Sequence, residues 1–102
     1  MEQVKVMLAA LRSNYLRDLP SHIDELEEVL LELERTGFAL ETCQDLYRRA
    51  HSLKGSGGTY GLHVLSAVCH PFEELLSGLL ERPELLRGGF TGTAIKYIDL
   101  MR

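Results

Sequence analysis

With 102 residues, 45% of them hydrophobic and 25% charged, the chain has room for one domain with a small core and is too apolar to remain disordered. Its net charge of −4 excludes nucleic acid as the main partner, because binding a phosphate backbone needs a basic face. No apolar run reaches the roughly 20 residues of a membrane span, and Met1-Glu2-Gln3 lacks the basic start of a signal peptide, so a cytoplasmic setting is the expectation.

Val4, Met7, Leu8, Leu11, Tyr15, Leu19, Ile23, Leu26, Leu30 and Leu33 follow helical spacing and predict a long N-terminal helical region with one apolar stripe. Pro20 lies inside it, removes a backbone donor and disfavours helical geometry at Leu19. A kink or a break is expected there, with Ser21 capping the second segment. Asp24, Glu25, Glu27, Glu28, Glu32 and Glu34 form an acidic outer surface, and Thr36-Gly37 stops the helix.

A second helix is expected from Thr42, where Thr42-Cys43-Gln44-Asp45 resembles a capping box, to about Ser56. Cys43, Leu46, Ala50 and Leu53 form its stripe, and the glycine-rich run from Gly55 to Gly61 supplies the turn. A third helix is expected over residues 62–80, with Leu65, Val68, Cys69, Phe72, Leu76 and Leu79 inward and Pro71 bending it. After Arg82-Pro83 a short helical turn through Leu86 gives way at Gly88-Gly89, and Thr91 or Thr93 caps a last helix carrying Ile95, Ile98 and Met101. No strand pattern and no internal repeat competes.

The economical fold is all-α, an antiparallel four-helix bundle over residues 1–102 as a single domain, with a long kinked N-terminal helical region. Nothing in the stripes demands an oligomer, so a monomer is expected. Cys43 and Cys69 read as small buried hydrophobes.

Between Asp45 and Glu73 there is no acidic residue, while Arg48, Arg49, Lys54, His51, His63 and His70 all lie there. That locally basic zone suits an acidic partner or a phosphoryl group. Since Ala50 and Leu53 face inward, His51 falls at the border of the stripe and turns outward. Lys54 and Gly55 follow one turn later, Tyr47 and Arg48 lie one turn earlier, and Gly58 comes two turns later if the helix persists. The expected surface is an imidazole with a cation beside it and no side chain above it.

Imidazole is a neutral nucleophile near pH 7, and its phosphorylated form gains almost two negative charges, which Lys54 can offset. A glycine within a helix costs about 1 kcal/mol relative to alanine, so Gly55 needs a compensating role such as close approach of a partner. His22, His63, His70, Cys43, Cys69, Glu73 and Glu74 match no compact ligand spacing, so no metal site is expected. There is no nucleotide-binding signature, which argues against an autonomous kinase.

At these residues the chain resembles the histidine-containing phosphotransfer family. Ala50-His51-Ser52-Leu53-Lys54-Gly55-Ser56 matches its motif of a histidine followed by lysine at +3, glycine at +4 and a small residue at +5. Gly61 meets the glycine ten residues after the histidine, and Cys69-His70-Pro71-Phe72-Glu73 meets a later pattern of a small residue, an apolar residue and glutamate. Tyr15, Leu19-Pro20 and the helix from Ile23 to Leu33 meet the upstream pattern. Pro71 departs from the pattern, and the short final helix suggests a domain excised from a longer protein.

The resemblance implies a phosphorelay intermediate with His51 phosphorylated, Lys54 steadying the phosphoryl group or the partner, and Gly55 leaving the imidazole accessible. Tyr47, Arg48, Ser52 and Gly58 would contact the partner, a response-regulator receiver domain that could belong to a hybrid histidine kinase. The chain would need no cofactor of its own, the Mg2+ and the acceptor aspartate being the receiver's. The competing reading is an interaction-only helical-bundle signalling module that shares the fold without phosphotransfer.

Overall fold

The structure, a computed structural model, describes residues 1–82 and 90–102. The helical turn expected through Leu86 and the Gly88-Gly89 break lie outside the described residues. Among the described residues there are four helices and no strand: α1 Glu2–Arg35, α2 Leu40–Thr59, α3 His63–Glu81 and α4 Phe90–Met101. They form the expected four-helix bundle.

Each helix packs against two neighbours, α1 and α3 both lying between α2 and α4. The turns set the antiparallel order. At the end of α1 the Gly37 backbone takes φ +68, and Phe38 N–H donates to Leu33 O at 2.8 Å, which satisfies a terminal carbonyl. Phe38 then meets Phe90 edge to face at the start of α4. At the other end of α4, Arg102 reaches Asp24 at 2.9 Å and Glu27 at 3.2 Å, both on α1.

The core joins Ile23, Leu26, Leu30 and Leu33 to Leu46, Ala50 and Leu53, to Cys69, Phe72, Leu76 and Leu79, and to Ala94 and Ile98. Cys43 and Cys69 are both buried and free. The α1 stripe, however, is buried only from Ile23 onward. Val4, Met7, Leu8 and Leu11 are exposed, because α1 is 34 residues long against 20 for α2 and projects beyond the end of the bundle.

Several expected boundaries are corrected. α1 is one continuous helix through Pro20, so there is no break and Ser21 caps nothing. Pro20 and Leu16, whose carbonyl loses its donor, are both exposed; water can take that place, and the stripe stays in phase across the proline. α3 likewise runs unbroken through Pro71. The N-cap of α2 is Ala39, with no side-chain cap bond, so the capping box at Thr42 does not form. Thr91 and Thr93 lie inside α4 rather than ahead of it.

The glycine-rich run is the largest revision. α2 continues through Gly55, Gly57 and Gly58 to Thr59, and only Tyr60, Gly61 and Leu62 make the turn. Packing favours this: Gly57 is buried, and a Cβ there would lie 3.2 Å from Leu65 Cδ2 of α3, so a side chain would press on Leu65 where glycine lets the two helices meet closely. Gly61 takes φ +77 and closes the turn, with Leu62 N–H donating to Gly57 O at 2.7 Å.

Candidate functional site

The inward stripe of α2 places Ala50 and Leu53 in the core and leaves His51 on the surface, with 64% of its side chain exposed. At helical spacing Tyr47, His51, Lys54 and Gly58 share one face. α3 packs alongside and brings Glu73 to that face, a position reached because Cys69, Phe72 and Leu76 anchor α3 in the core around it.

Glu73 is the buried acid at the centre of the site. Its Oε1 lies 2.8 Å from His51 Nδ1 and accepts a hydrogen bond from the Tyr47 hydroxyl at 3.1 Å. Lys54 Nζ stands 2.6 Å from Oε2, a charge contact without hydrogen-bond alignment, and Oε2 has no hydrogen-bond partner. Burial disfavours charge on Glu73, but Lys54, His51 and Tyr47 together overcome it and hold the carboxyl at about 2. The same interaction raises Lys54, against the opposing pull of its desolvation, and raises Tyr47, which stays a protonated donor.

These facts fix the imidazole's tautomer. A carboxylate ionised at neutral pH can only accept, so the 2.8 Å contact requires the proton on His51 Nδ1. The Nε2 lone pair of the neutral ring is then free, on a side chain that is mostly solvent-exposed. The arrangement is an oriented nitrogen nucleophile with a carboxylate behind it, the geometry by which an orienting group activates a nucleophile.

Gly55 is exposed, and a Cβ there would meet nothing within 4 Å, so the surface beside His51 is open. Gly58 is exposed too, and its Cβ would come no nearer than 3.9 Å, to Ser66 Oγ. Arg48 is exposed and pairs with Asp45 at 3.5 Å. Ser52 is exposed and lines a groove of about 420 Å³ between α1 and α2 with Tyr15, His22, Glu25, Arg49 and Ser56.

The structure thus brings together His51, Lys54 and Tyr47, while Arg48 and Ser52 flank them. The cation beside the imidazole and the open surface at Gly55 are both present, and the structure adds a group that spacing along α2 does not show: Glu73 closes in space an interval that is free of acids in sequence, and Lys54 directs its charge at Glu73. The signal for Glu73 was its place in the Cys69-to-Glu73 pattern; its helical neighbours on α3 gave no hint of a partner on α2. Among the described residues no group of three or more His, Cys, Asp or Glu could hold a metal ion, and no helix is long and apolar enough to cross a membrane.

Comparison with known proteins gives the geometry a context. A family model described as Hpt domain matches residues 10–99. The chain is 24% identical to the chemotaxis protein CheA of Treponema pallidum (strain Nichols), over 90% of this chain and 11% of that protein. It is 31% identical to CheA of Klebsiella aerogenes, over 93% of this chain and 15% of that protein. The sensor histidine kinase CheAY of Helicobacter pylori is 27% identical over 78% of this chain and 10% of that protein. The chain therefore spans a small fraction of the length of these relatives. No solved structure matches it.

Proposed function

The chain belongs to the Hpt domain family, and from that membership and the geometry around His51 we propose that it carries a phosphoryl group on His51 Nε2 between aspartates of response-regulator receiver domains. The observation that carries the reading is the His51 Nδ1 to Glu73 Oε1 contact at 2.8 Å, which leaves Nε2 as the exposed nucleophile.

In the step, the Nε2 lone pair attacks the phosphorus of an aspartyl phosphate, the bond from phosphorus to the aspartate oxygen breaks, and its electron pair returns to the carboxylate. The ring, now substituted on Nε2 and still protonated on Nδ1, gains positive charge, which the Glu73 carboxylate offsets at close range. Lys54 keeps Glu73 from presenting an unbalanced charge to the incoming phosphoryl group. Transfer onward reverses these steps. The receiver supplies Mg2+ and the acceptor carboxylate, and this chain supplies a positioned nucleophile and an open surface at Gly55, without kinase activity of its own.

His51, Lys54 and Tyr47 on α2 and Glu73 on α3 belong to the same chain, which is consistent with carriage by a monomer. The receiver could belong to a hybrid histidine kinase, and a cytoplasmic setting suits a chain whose two thiols are free. The test is to incubate the chain with phosphorylated receiver domains and follow acid-labile phosphate. Wild type should take up label, and His51→Gln should take up none while keeping its helicity. Equal labelling of the His51→Gln protein would refute the assignment.

A further inference from the structure

We propose that Tyr47 is a positioning residue for His51: its hydroxyl, sharing Glu73 Oε1 with His51 Nδ1, holds the carboxylate in the orientation that keeps the imidazole proton on Nδ1. The proposal rests on the carrier reading above for its consequence in transfer, and it replaces the partner contact expected for Tyr47 from sequence.

The argument begins with what else restrains Glu73. Its side chain reaches from α3 across to α2, and the last torsion of a glutamate is soft and roughly two-fold. Lys54 lies against Oε2 as a compact, rotatable charge, which attracts the carboxylate without dictating its plane. A phenolic hydroxyl is directional, and this one donates to the same oxygen that His51 uses.

Tyr47 is well placed to do this before any partner arrives. It precedes His51 by four residues on α2, so one rigid helix sets both donors. Its ring lies within 9° of parallel to the imidazole at a centroid separation of 6.3 Å, so the two side chains approach Oε1 side by side. The Tyr47 side chain is only partly buried and packs against the edge of the core. Removing the hydroxyl alone should therefore leave the bundle intact and free the carboxylate to turn.

The test is Tyr47→Phe, read first on phosphate-free protein by 15N NMR of the His51 ring under conditions where it is neutral. Wild type should hold the proton mainly on Nδ1, and Tyr47→Phe should move the tautomer ratio toward Nε2–H by about threefold or more, as expected for losing one hydrogen bond to a charged group. In a Glu73→Gln background, Tyr47→Phe should add no further change.

With phosphorylated receiver, the transfer rate at saturation should fall about threefold to tenfold while the half-saturating receiver concentration stays fixed. Identical tautomer ratios in wild type and Tyr47→Phe would overturn the proposal. So would weaker receiver binding with an unchanged saturating rate, which would make Tyr47 a docking contact. Should wild type accept no phosphate from any receiver, the carrier reading fails, yet the NMR comparison still decides the role of Tyr47.

Discussion

Glu73 stands 22 residues from His51 in sequence and 2.8 Å from it in space, which explains why the histidine was legible and its partner was not. His51, Lys54 and Gly55 sit within one helical turn and announce themselves by spacing. Glu73 acquires its role only when α3 packs on α2. Its titration makes the role measurable: the carboxyl normally titrates at 4.5 and is held at about 2 here, so the folded state binds that proton less readily than the unfolded chain. The stabilisation is fully present above about pH 4.5 and is lost as pH falls from there through about 2. Melting temperature should therefore drop more steeply between about pH 5 and pH 2 for wild type than for Glu73→Gln. The wild-type excess should be on the order of 2 to 3 kcal/mol, and parallel curves for the two proteins would show that the cluster stores no such energy.

At the scale of the helix, α2 shows how packing overrides a local signal. Glycines from Gly55 onward read as a turn by propensity, yet the helix absorbs three of them. Gly57 fits the close approach of Leu65, whereas Gly55 has open space where a Cβ would be and so weakens the helix with no packing reason to do so. Access for a partner to His51 is the role we propose for it. Gly55→Arg should therefore hold or raise the melting temperature, by up to about 1 kcal/mol of helix propensity. The same variant should slow phosphotransfer, because the added side chain stands where a receiver must bring its aspartate to His51. A Gly55→Arg protein that melts normally and accepts phosphate at the wild-type rate would remove the open-surface argument.

For the whole molecule, the apolar stripes foretold the helices and their antiparallel order because each stripe has one place to be buried. They could not foretell how far α1 runs past its neighbours, since a stripe looks the same whether or not another helix covers it. The overhang is visible in the 53 Å length of a molecule only 22 by 19 Å across. Among the described residues, the hydrogen bonds and ring contacts from α1 to the rest of the bundle start at Arg12, which donates to Tyr60 O, and at Tyr15, which stacks on Tyr60 and shares a 2.8 Å hydrogen bond with Ser56. The family match likewise begins at residue 10. Stability should thus divide sharply along α1. Leu26→Ala, in the fully enclosed part of the stripe, should cost about 2 to 5 kcal/mol. Deleting residues 2–9 removes exposed side chains that make no hydrogen bond, ion pair or ring contact with the other helices among the described residues. The shortened protein should lose under about 1 kcal/mol and should take phosphate from a receiver at the wild-type rate. Chemical denaturation of both variants checks the division, and a deletion as costly as Leu26→Ala would mean that the projecting end of α1 is packed in solution.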